Sequence, residues 1–407
     1  MRAARVSALP WPNGTRRTVA SALAVLCLSE FVRTGLYASF LYAYGPRHGM
    51  SLSLVALAWT VHFGADTVGR ALGGRLVTQY GLDRVAFAGG LLGLLAVWLV
   101  PQVPVPWMVL VLAALHGLGF SALWPGTLST ASLRAQAGEQ ARAVGFATMA
   151  VAPFTGVAFL TLAPLTKLQM HGGLPIAWLT LMVMQGLATL AALGAPRHLV
   201  VEAPPAPDAA LQAPPRVRRT LLFLLPAAVV QTLALTLVGP LLQSDGFKHD
   251  SGLSTLGVWG LPALLAVGGA AAYGLLNFTG RLADRRDPRL VLIVGLVLAG
   301  AGMTALALKP PVWAYFAIAA LVGVGYAGLV PGWGGLLTRM LPERDRATAW
   351  GAVLSAENIG TGVGPLLGAV AYDQFGLSGP FVVASVLLFG VALMYVLSRF
   401  RTATSTA

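Results

Sequence analysis

The sequence predicts an all-α membrane protein of twelve transmembrane helices, arranged as two six-helix pseudo-repeats. Three observations lead there. The first is composition: of 407 residues 57% are hydrophobic and only 10% are charged, with a mean hydropathy of +0.75, whereas a soluble globular chain carries about 25% charged residues. The second is a series of twelve apolar stretches close to the ~20 residues that a bilayer-crossing helix needs. The third is a resemblance between the two halves of the chain at a constant offset.

The spans are expected at 18–44, 53–79, 85–101, 106–131, 141–165, 174–195, 220–243, 255–279, 289–308, 312–337, 346–371 and 378–399. The 48 glycines and 26 prolines fall largely inside them. In water that would argue against helices; in lipid, small residues let helices pack closely and neighbouring helices compensate for prolines. The alternation of a membrane β-barrel is absent. Residues 1–17 are polar, with Arg2, Arg5, Arg16 and Arg17. The apolar run behind them is too long for a signal-peptide core and reads as the first span. The sequon Asn13-Gly14-Thr15 reads as chance.

The charge excess of +13 has a topological explanation. With both ends on one side, the loops of that side carry 21 of the 27 Lys and Arg residues. The opposite loops carry Arg47, Lys167, Lys248 and Lys309, while Arg33 and Arg70 lie inside spans. Basic loops stay in the cytoplasm, so both termini are expected there, with the chain in the cell's inner (plasma) membrane. No nucleic-acid partner is needed to account for the charge. The longest connection, 196–219, holds Pro204-Pro205 and Pro214-Pro215 and ends in Arg216, Arg218 and Arg219. It reads as a cytoplasmic linker between an N-terminal half, 1–195, and a C-terminal half, 220–407.

The repeat supports two halves. Gly117-Leu-Gly-Phe-Ser-Ala-Leu-Trp-Pro125 aligns with Gly323-Val-Gly-Tyr-Ala-Gly-Leu-Val-Pro331, and the same offset pairs Gly74 with Gly280, Trp107 with Trp313 and Gly145 with Gly351. Parallel six-helix repeats are a transporter architecture whose substrate site lies between them.

Three acids fall well inside spans: Glu30, Asp66 and Glu357. Each stands about 17–20 Å from its span end at ~1.5 Å per residue. A charge at that depth costs about 2.5–3.5 kcal/mol even on a lenient scale, so it faces a cavity or a partner. Glu30 and Arg33 are three residues apart, and His62, Asp66 and Arg70 follow at steps of four on one helix face. If these faces meet, two carboxylates, two guanidiniums and an imidazole form one cluster suited to proton coupling through Asp66, Glu30, Arg33 and His62. A structural ion-pair network is the alternative, and Arg70 then only neutralises Asp66. His116 is a further buried imidazole, and Glu357 is either a second proton site or a neutral, hydrogen-bonded acid. Trp124 and Trp333 are stacking surfaces for sugars or interfacial anchors. The C-terminal half adds only uncharged Gln231, Thr232, Thr236 and Asn277 to Glu357. One polar wall and one apolar wall suit an amphipathic solute.

The stretch Gly280-Arg-Leu-Ala-Asp284-Arg285-Arg-Asp-Pro-Arg289 resembles the loop signature of the major facilitator superfamily, and Gly74-Arg-Leu-Val-Thr78-Gln79-Tyr-Gly81 resembles a weaker copy. The resemblance spans all twelve helices and implies the major facilitator fold and alternating access. It gives conformational roles to Gly74, Gly280, Asp284 and Arg285, and to Gly360, Gly364 and Pro365, where the Gly360, Gly364, Gly368 stripe is also a packing surface. In the N-terminal copy, Arg75, Asp83 and Arg84 are candidates to replace the lost Asp and Arg. A narrower set is similar to the proton-coupled glycolipid flippases that supply lipoteichoic-acid anchors: Glu30-Phe-Val-Arg33, His62-Phe-Gly-Ala-Asp66, Trp124, Pro331-Gly-Trp333, and Trp350-Gly351 with Gly364-Pro365-Leu-Leu-Gly368. That resemblance implies a polar cavity lined by Glu30, Arg33 and Asp66 with Trp124 beside them. This sequence departs from it at Val151, at Thr78 and Gln79, and at Glu357.

The expected function is proton-coupled, alternating-access transport of an amphipathic substrate, a glycolipid or related lipid moved from the inner to the outer leaflet. Its binding residues are expected to be Glu30, Arg33, Asp66, Arg70, Trp124, Gln231, Trp333 and Glu357. The alternative is a proton-driven multidrug efflux antiporter. The partners are protons and a membrane lipid or amphipathic small molecule, the working unit is a monomer, and neither cofactor nor metal is expected. The lone Cys27 excludes an internal disulfide, and the zinc-protease, nucleophile-elbow and Walker motifs of common enzymes are missing. Reporter fusions after residue 407 and within 196–219 should both read as cytoplasmic; an external signal from either would overturn the charge-based map.

Overall fold

The computed structural model describes residues 11–102, 105–136, 140–169, 173–197, 215–257, 259–340 and 346–398. Within the helices, the surroundings of some residues, Gly74, Arg75, Thr78, Asp284 and Arg285 among them, are outside the described set. So is most of the 196–219 segment read above as a linker. Every expected span is a helix. In order they are α1 (Asn13–His48), α2 (Leu52–Tyr80), α3 (Leu82–Leu99), α4 (Met108–Phe120, resuming after a turn as Leu123–Leu133), α5 (Gln140–Leu165) and α6 (Ile176–Ala192). After them come α7 (Pro215–Thr236), α8 (Gly260–Arg285), α9 (Pro288–Ala307), α10 (Ala314–Met340), α11 (Arg346–Phe375) and α12 (Ser378–Leu397). Among the described residues, eight helices are long and apolar enough to cross a membrane, and α5, α6 and α8 contain shorter apolar stretches. The thirty-residue α11 is long enough but more polar, with Ser355, Glu357, Asn358 and Thr361 in its middle.

The chain divides into two compact units, Met1–Pro204 and Pro205–Ala407. In the first, α4 packs on α2 and α3, α3 also on α6, and α1 on α5 and α6. Glycine permits the close crossings: a Cβ on Gly89 would lie 2.2 Å from the Gly119 carbonyl oxygen, and one on Gly117 would lie 2.3 Å from that of His62. The turn from α2 to α3 requires Gly81, which has φ +89° and whose Cβ would meet the Arg197 carbonyl oxygen at 2.2 Å. This turn is stitched to the end of α6 by Leu82 N–H donating to Pro196 O (3.1 Å) and by the Asp83–Arg197 ion pair (3.4 Å). Asp83, one of the candidate replacements for the missing loop acid, thus pairs within its own unit.

The second unit uses the equivalent position differently. Arg289, 206 residues after Asp83, donates from Nε to Tyr395 O (2.7 Å) and from Nη2 to Val396 O (2.8 Å). A guanidinium there satisfies the open carbonyls at the end of α12 and complements the negative end of its dipole. Here α10 packs on α8 and α9, α9 on α12, and α7 on α11. The α7–α11 contact is a backbone-to-backbone seam. Added Cβ atoms on Gly360, Gly364 and Gly368 would lie 2.2, 2.6 and 2.1 Å from the carbonyl oxygens of Val229, Leu233 and Leu237. The glycine stripe is therefore a packing surface, with Pro365 inside α11 between two of its members.

Two irregularities position side chains. In α1, residues Leu36–Phe40 form one turn of π-helix, and Ser39 reaches into α5. Its hydroxyl donates to Phe159 O (3.0 Å) and accepts from Ala163 N–H (2.9 Å), so it is inserted in the α5 hydrogen-bond ladder just before Pro164. In α4, Pro125 has no N–H and its ring would collide with the carbonyl four residues back, at Ser121. The helix therefore breaks at Ser121–Ala122 and restarts at Leu123. Replacing Gly368 with Leu should destabilise the protein by about 1–3 kcal/mol through overpacking, read as a lower thermal midpoint in detergent. Gly390→Leu is the control, because its Cβ meets nothing within 4 Å. Equal midpoints for the two variants would remove the seam from the account of stability.

Candidate functional site

The α4 break decides where Trp124 points. From the first turn after it, the indole Nε1–H donates to Glu30 Oε1 on α1. Glu30 is buried (1% exposed), and its other oxygen lies 2.6 Å from Arg33 Nη2. The Arg33 guanidinium is held in turn between two rings, its central carbon 4.8 Å from the Phe63 centroid and 4.6 Å from that of Phe120. Residues of α1, α2 and α4 thus converge on one ion pair. Cation–π contact stabilises such an arginine most where water is excluded.

Beside it stands a second pair. Asp66, fully buried, accepts from Arg70 Nε at Oδ1 (3.1 Å) and from Nη2 at Oδ2 (2.8 Å). This two-pronged geometry is the strongest that a carboxylate and a guanidinium can make. The site therefore holds two acids and two bases whose charges balance, which answers the cost of burying each.

His62, the fifth group of the expected cluster, makes no ion pair or hydrogen bond with either carboxylate among the described residues. It is fully buried and packs against Tyr37 and His116, with ring centroids 4.8 Å away in both cases. Its direction along α2 favours α4, because side chains four residues apart share a face but fan out around it. Sequence reasoning also missed Phe63, Phe120, Tyr37 and Gln185. The adjacency of His62 to Phe63 and the place of Phe120 in the repeat motif were available signals, yet an aromatic residue in an apolar helix looks like any core residue until its neighbours are known.

The second unit holds a smaller polar constellation. Trp333, two residues after the helix-interior Pro331, donates from Nε1 to Glu357 Oε1 (2.6 Å), and its ring stands 6.5 Å from that of Tyr395. No guanidinium or ammonium pairs with Glu357 among the described residues. Gln231 on α7 is buried, and its Oε1 has no hydrogen-bond partner among the described residues. Gly280 lies 4.0 Å, measured from an added Cβ, from Pro331. The same unit contains an apolar cavity of about 380 Å³ between α7, α8 and α10, lined by Leu235, Leu264, Tyr273, Tyr315 and Tyr326. The first unit has a groove of about 450 Å³ along α2, α3 and α4, with Tyr80 and Arg84 in its lining. Among the described residues no three His, Cys, Asp or Glu side chains are placed to hold a metal ion.

The family model described as Major Facilitator Superfamily matches residues 22–277 and 270–406. A protein of Staphylococcus haemolyticus (strain JCSC1435), named proton-coupled antiporter flippase LtaA, is 25% identical over 386 residues, covering 92% of each chain. The protein of the same name from Staphylococcus aureus (strain USA300) is 23% identical over 379 residues, again covering 92% of each. Among solved structures, a bacterial homologue of the human lysosomal transporter Spinster superposes with a TM-score of 0.70 at 16% identity, covering 93% of this chain and 95% of that one. The nucleoside transporter NupG superposes with a TM-score of 0.66 at 11% identity, covering 95% and 98%. With twelve helices in two compact units, charged pairs buried in the first and a family model that matches nearly the whole length, the chain belongs to the Major Facilitator Superfamily and is a multi-pass membrane transporter.

Proposed function

We propose that this transporter exchanges protons for an amphipathic lipid, with a glycolipid as the leading substrate, moved from the inner to the outer leaflet with both termini in the cytoplasm. The observation that carries this reading is the pair of buried ion pairs, Glu30–Arg33 and Asp66–Arg70, beside the Trp124 indole. The relatives named as proton-coupled antiporter flippases support it, and so does the apolar cavity of the second unit, which is sized for hydrocarbon.

The chemistry is competition for the same carboxylates. An ionised Asp66 accepts hydrogen bonds, from Arg70 or from a sugar hydroxyl. A protonated Asp66 loses its charge and turns one oxygen into a donor, so the Arg70 fork loosens and the headgroup loses a charged, two-oxygen acceptor. Proton and headgroup then exclude one another, the condition for exchange, and a site serving both must be offered alternately to the two sides. Trp124 provides an aromatic face for a sugar ring while holding Glu30. Each buried CH₂ contributes about 0.8 kcal/mol, so the lipid should bind far more tightly than its free headgroup. Gly74, Gly280, Asp284, Arg285, Gly360, Gly364 and Pro365 carry the conformational change in this reading.

A second reading rests on Glu357, a carboxylate with an indole donor and no cationic partner among the described residues. A carboxylate in apolar surroundings suits an organic cation, as in proton-driven drug efflux. Both readings meet one experiment: purified protein in liposomes, a pH gradient, and either a labelled glycolipid whose arrival in the opposite leaflet is scored by quenching or a fluorescent lipophilic cation. Lipid movement that follows the gradient, with poor competition by free sugar, is the expected result; movement of cations alone would establish the efflux reading. Asp66→Asn, which keeps the shape but leaves Arg70 without its counter-charge, should reduce gradient-driven lipid movement to the protein-free rate, with a lowered thermal midpoint but an elution volume like that of wild type. An undiminished response to the gradient in that variant would make Asp66 purely structural.

A further inference from the structure

A set of buried polar groups that this mechanism does not use lies next to the ion pairs. His62 on α2 and His116 on α4 are 0% and 2% exposed, with their rings 4.8 Å apart and inclined at 35°. Tyr37 lies over both, 4.8 Å from His62 and 5.6 Å from His116. Its position comes from the π-helical turn of α1, which shifts the register of the residues it contains. Neither nitrogen of His62, nor Nδ1 of His116, has a hydrogen-bond partner among the described residues, and Gln185 Oε1 on α6 is in the same position. Gln185 stands beside His116, the two side chains meeting over Gly93, and is anchored by its Nε2 donating to Gly90 O (3.2 Å). Next to them, His116, Gln185 and Ser29 border a cavity of about 10 Å³, close to the smallest space that admits one water.

Buried polar atoms without partners are rare enough to require a reason. A packing role does not supply one, since Phe, Leu or Met would fill this space without the desolvation cost. We propose that His62 and His116 together form a second proton-holding site of the first unit, with Tyr37 and Gln185 as positioning residues. The groups around it are few. α1 presents Arg33 and Glu30 beyond the Phe63 and Phe120 rings, along with Tyr37. α2 carries Asp66 and Arg70 one and two turns after His62, α3 presents the glycines Gly90 and Gly93, and α6 presents Gln185. A proton delivered through water adds to the lone pair of one ring nitrogen, the charge of the pair goes from zero to one, and the proton returns to water on release. Phe63 and Phe120 touch both Arg33 and His62, so the charge on the imidazoles is felt by the Arg33–Glu30 pair. Proton occupancy here then biases how firmly Arg33 holds Glu30.

This inference rests on the proton-exchange reading for its purpose but is tested separately from it. Protein labelled with ¹⁵N-histidine is titrated by nuclear magnetic resonance in detergent, with signals assigned from His62→Gln and His116→Asn. The expected result is that the pair takes up one proton within the pH range over which the protein stays folded, and that replacing one ring moves the midpoint of the other by at least about half a unit, as coupled sites do. Absence of titration for both rings in that range, or identical midpoints with and without the neighbour, would overturn the proposal. His116→Phe, which keeps a ring in the stack, serves if the polar variants fail to fold. In liposomes that move lipid, the pH at half-maximal rate should shift in these variants. A rate lowered by one factor at every pH would reduce the pair to packing. Failure of the wild type to move lipid or drug would count against the proposed exchange and leave the resonance titration to decide the histidines.

Discussion

The architecture of the first unit depends on the cost of holding charge away from water. Two carboxylates and two guanidiniums stand in spans, and each has its opposite within ion-pair distance: Glu30 with Arg33, Asp66 with Arg70. Removing one member would leave the other uncompensated, a change worth about 3–5 kcal/mol in buried pairs. Around this requirement the helices take their places. α1 and α2 supply the pairs, and α4 supplies an indole donor and one of the two rings that enclose Arg33.

The backbone makes the arrangement possible by being bare or broken where a regular helix would not fit. Gly89 against Gly119 and Gly117 against His62 allow α4 to approach its neighbours at backbone distance. The Pro125 break turns Trp124 onto Glu30, and the π-helical turn of α1 lays Tyr37 across two histidines. Each irregularity costs local stability, and each ends at a polar group in the bilayer interior. Hydrocarbon offers no hydrogen bonds, so dispersion between closely approached helices and satisfied polar groups carry more of the stability than in water.

The two units repeat the same pattern with different chemistry. At positions 206 apart, Asp83 pairs with Arg197 after α6, and Arg289 caps the carbonyls ending α12. Both units set a tryptophan on α4 or α10 against a buried or half-buried glutamate, but among the described residues only the first provides the carboxylate with an arginine. The second replaces charge with a glycine seam between α7 and α11 and a cavity lined by aliphatic and tyrosine side chains. The first unit buries charged and polar groups and the second presents apolar surface, the division on which the proposed amphipathic substrate rests.

Much of this was legible in the chain alone. Length and apolar content set twelve helices, because a span must satisfy its own backbone and a run of about 20 apolar residues can do so only as a helix. Acids at mid-span marked Glu30, Asp66 and Glu357, because such a charge is costly unless it has a partner, and spacing on one helix paired Arg33 with Glu30 and Arg70 with Asp66. What spacing could not supply was any contact between helices. That Trp124 reaches Glu30, that Phe63 and Phe120 enclose Arg33, and that His62 leaves the acids for His116 and Tyr37 all depend on the crossing of α1, α2 and α4. Those crossings are set by where glycine permits approach and where proline or a π-turn alters register. Periodicity along one helix records which residues share a face; only the packed structure decides which face meets which, because that choice is made by the fit of side chains far apart in the chain.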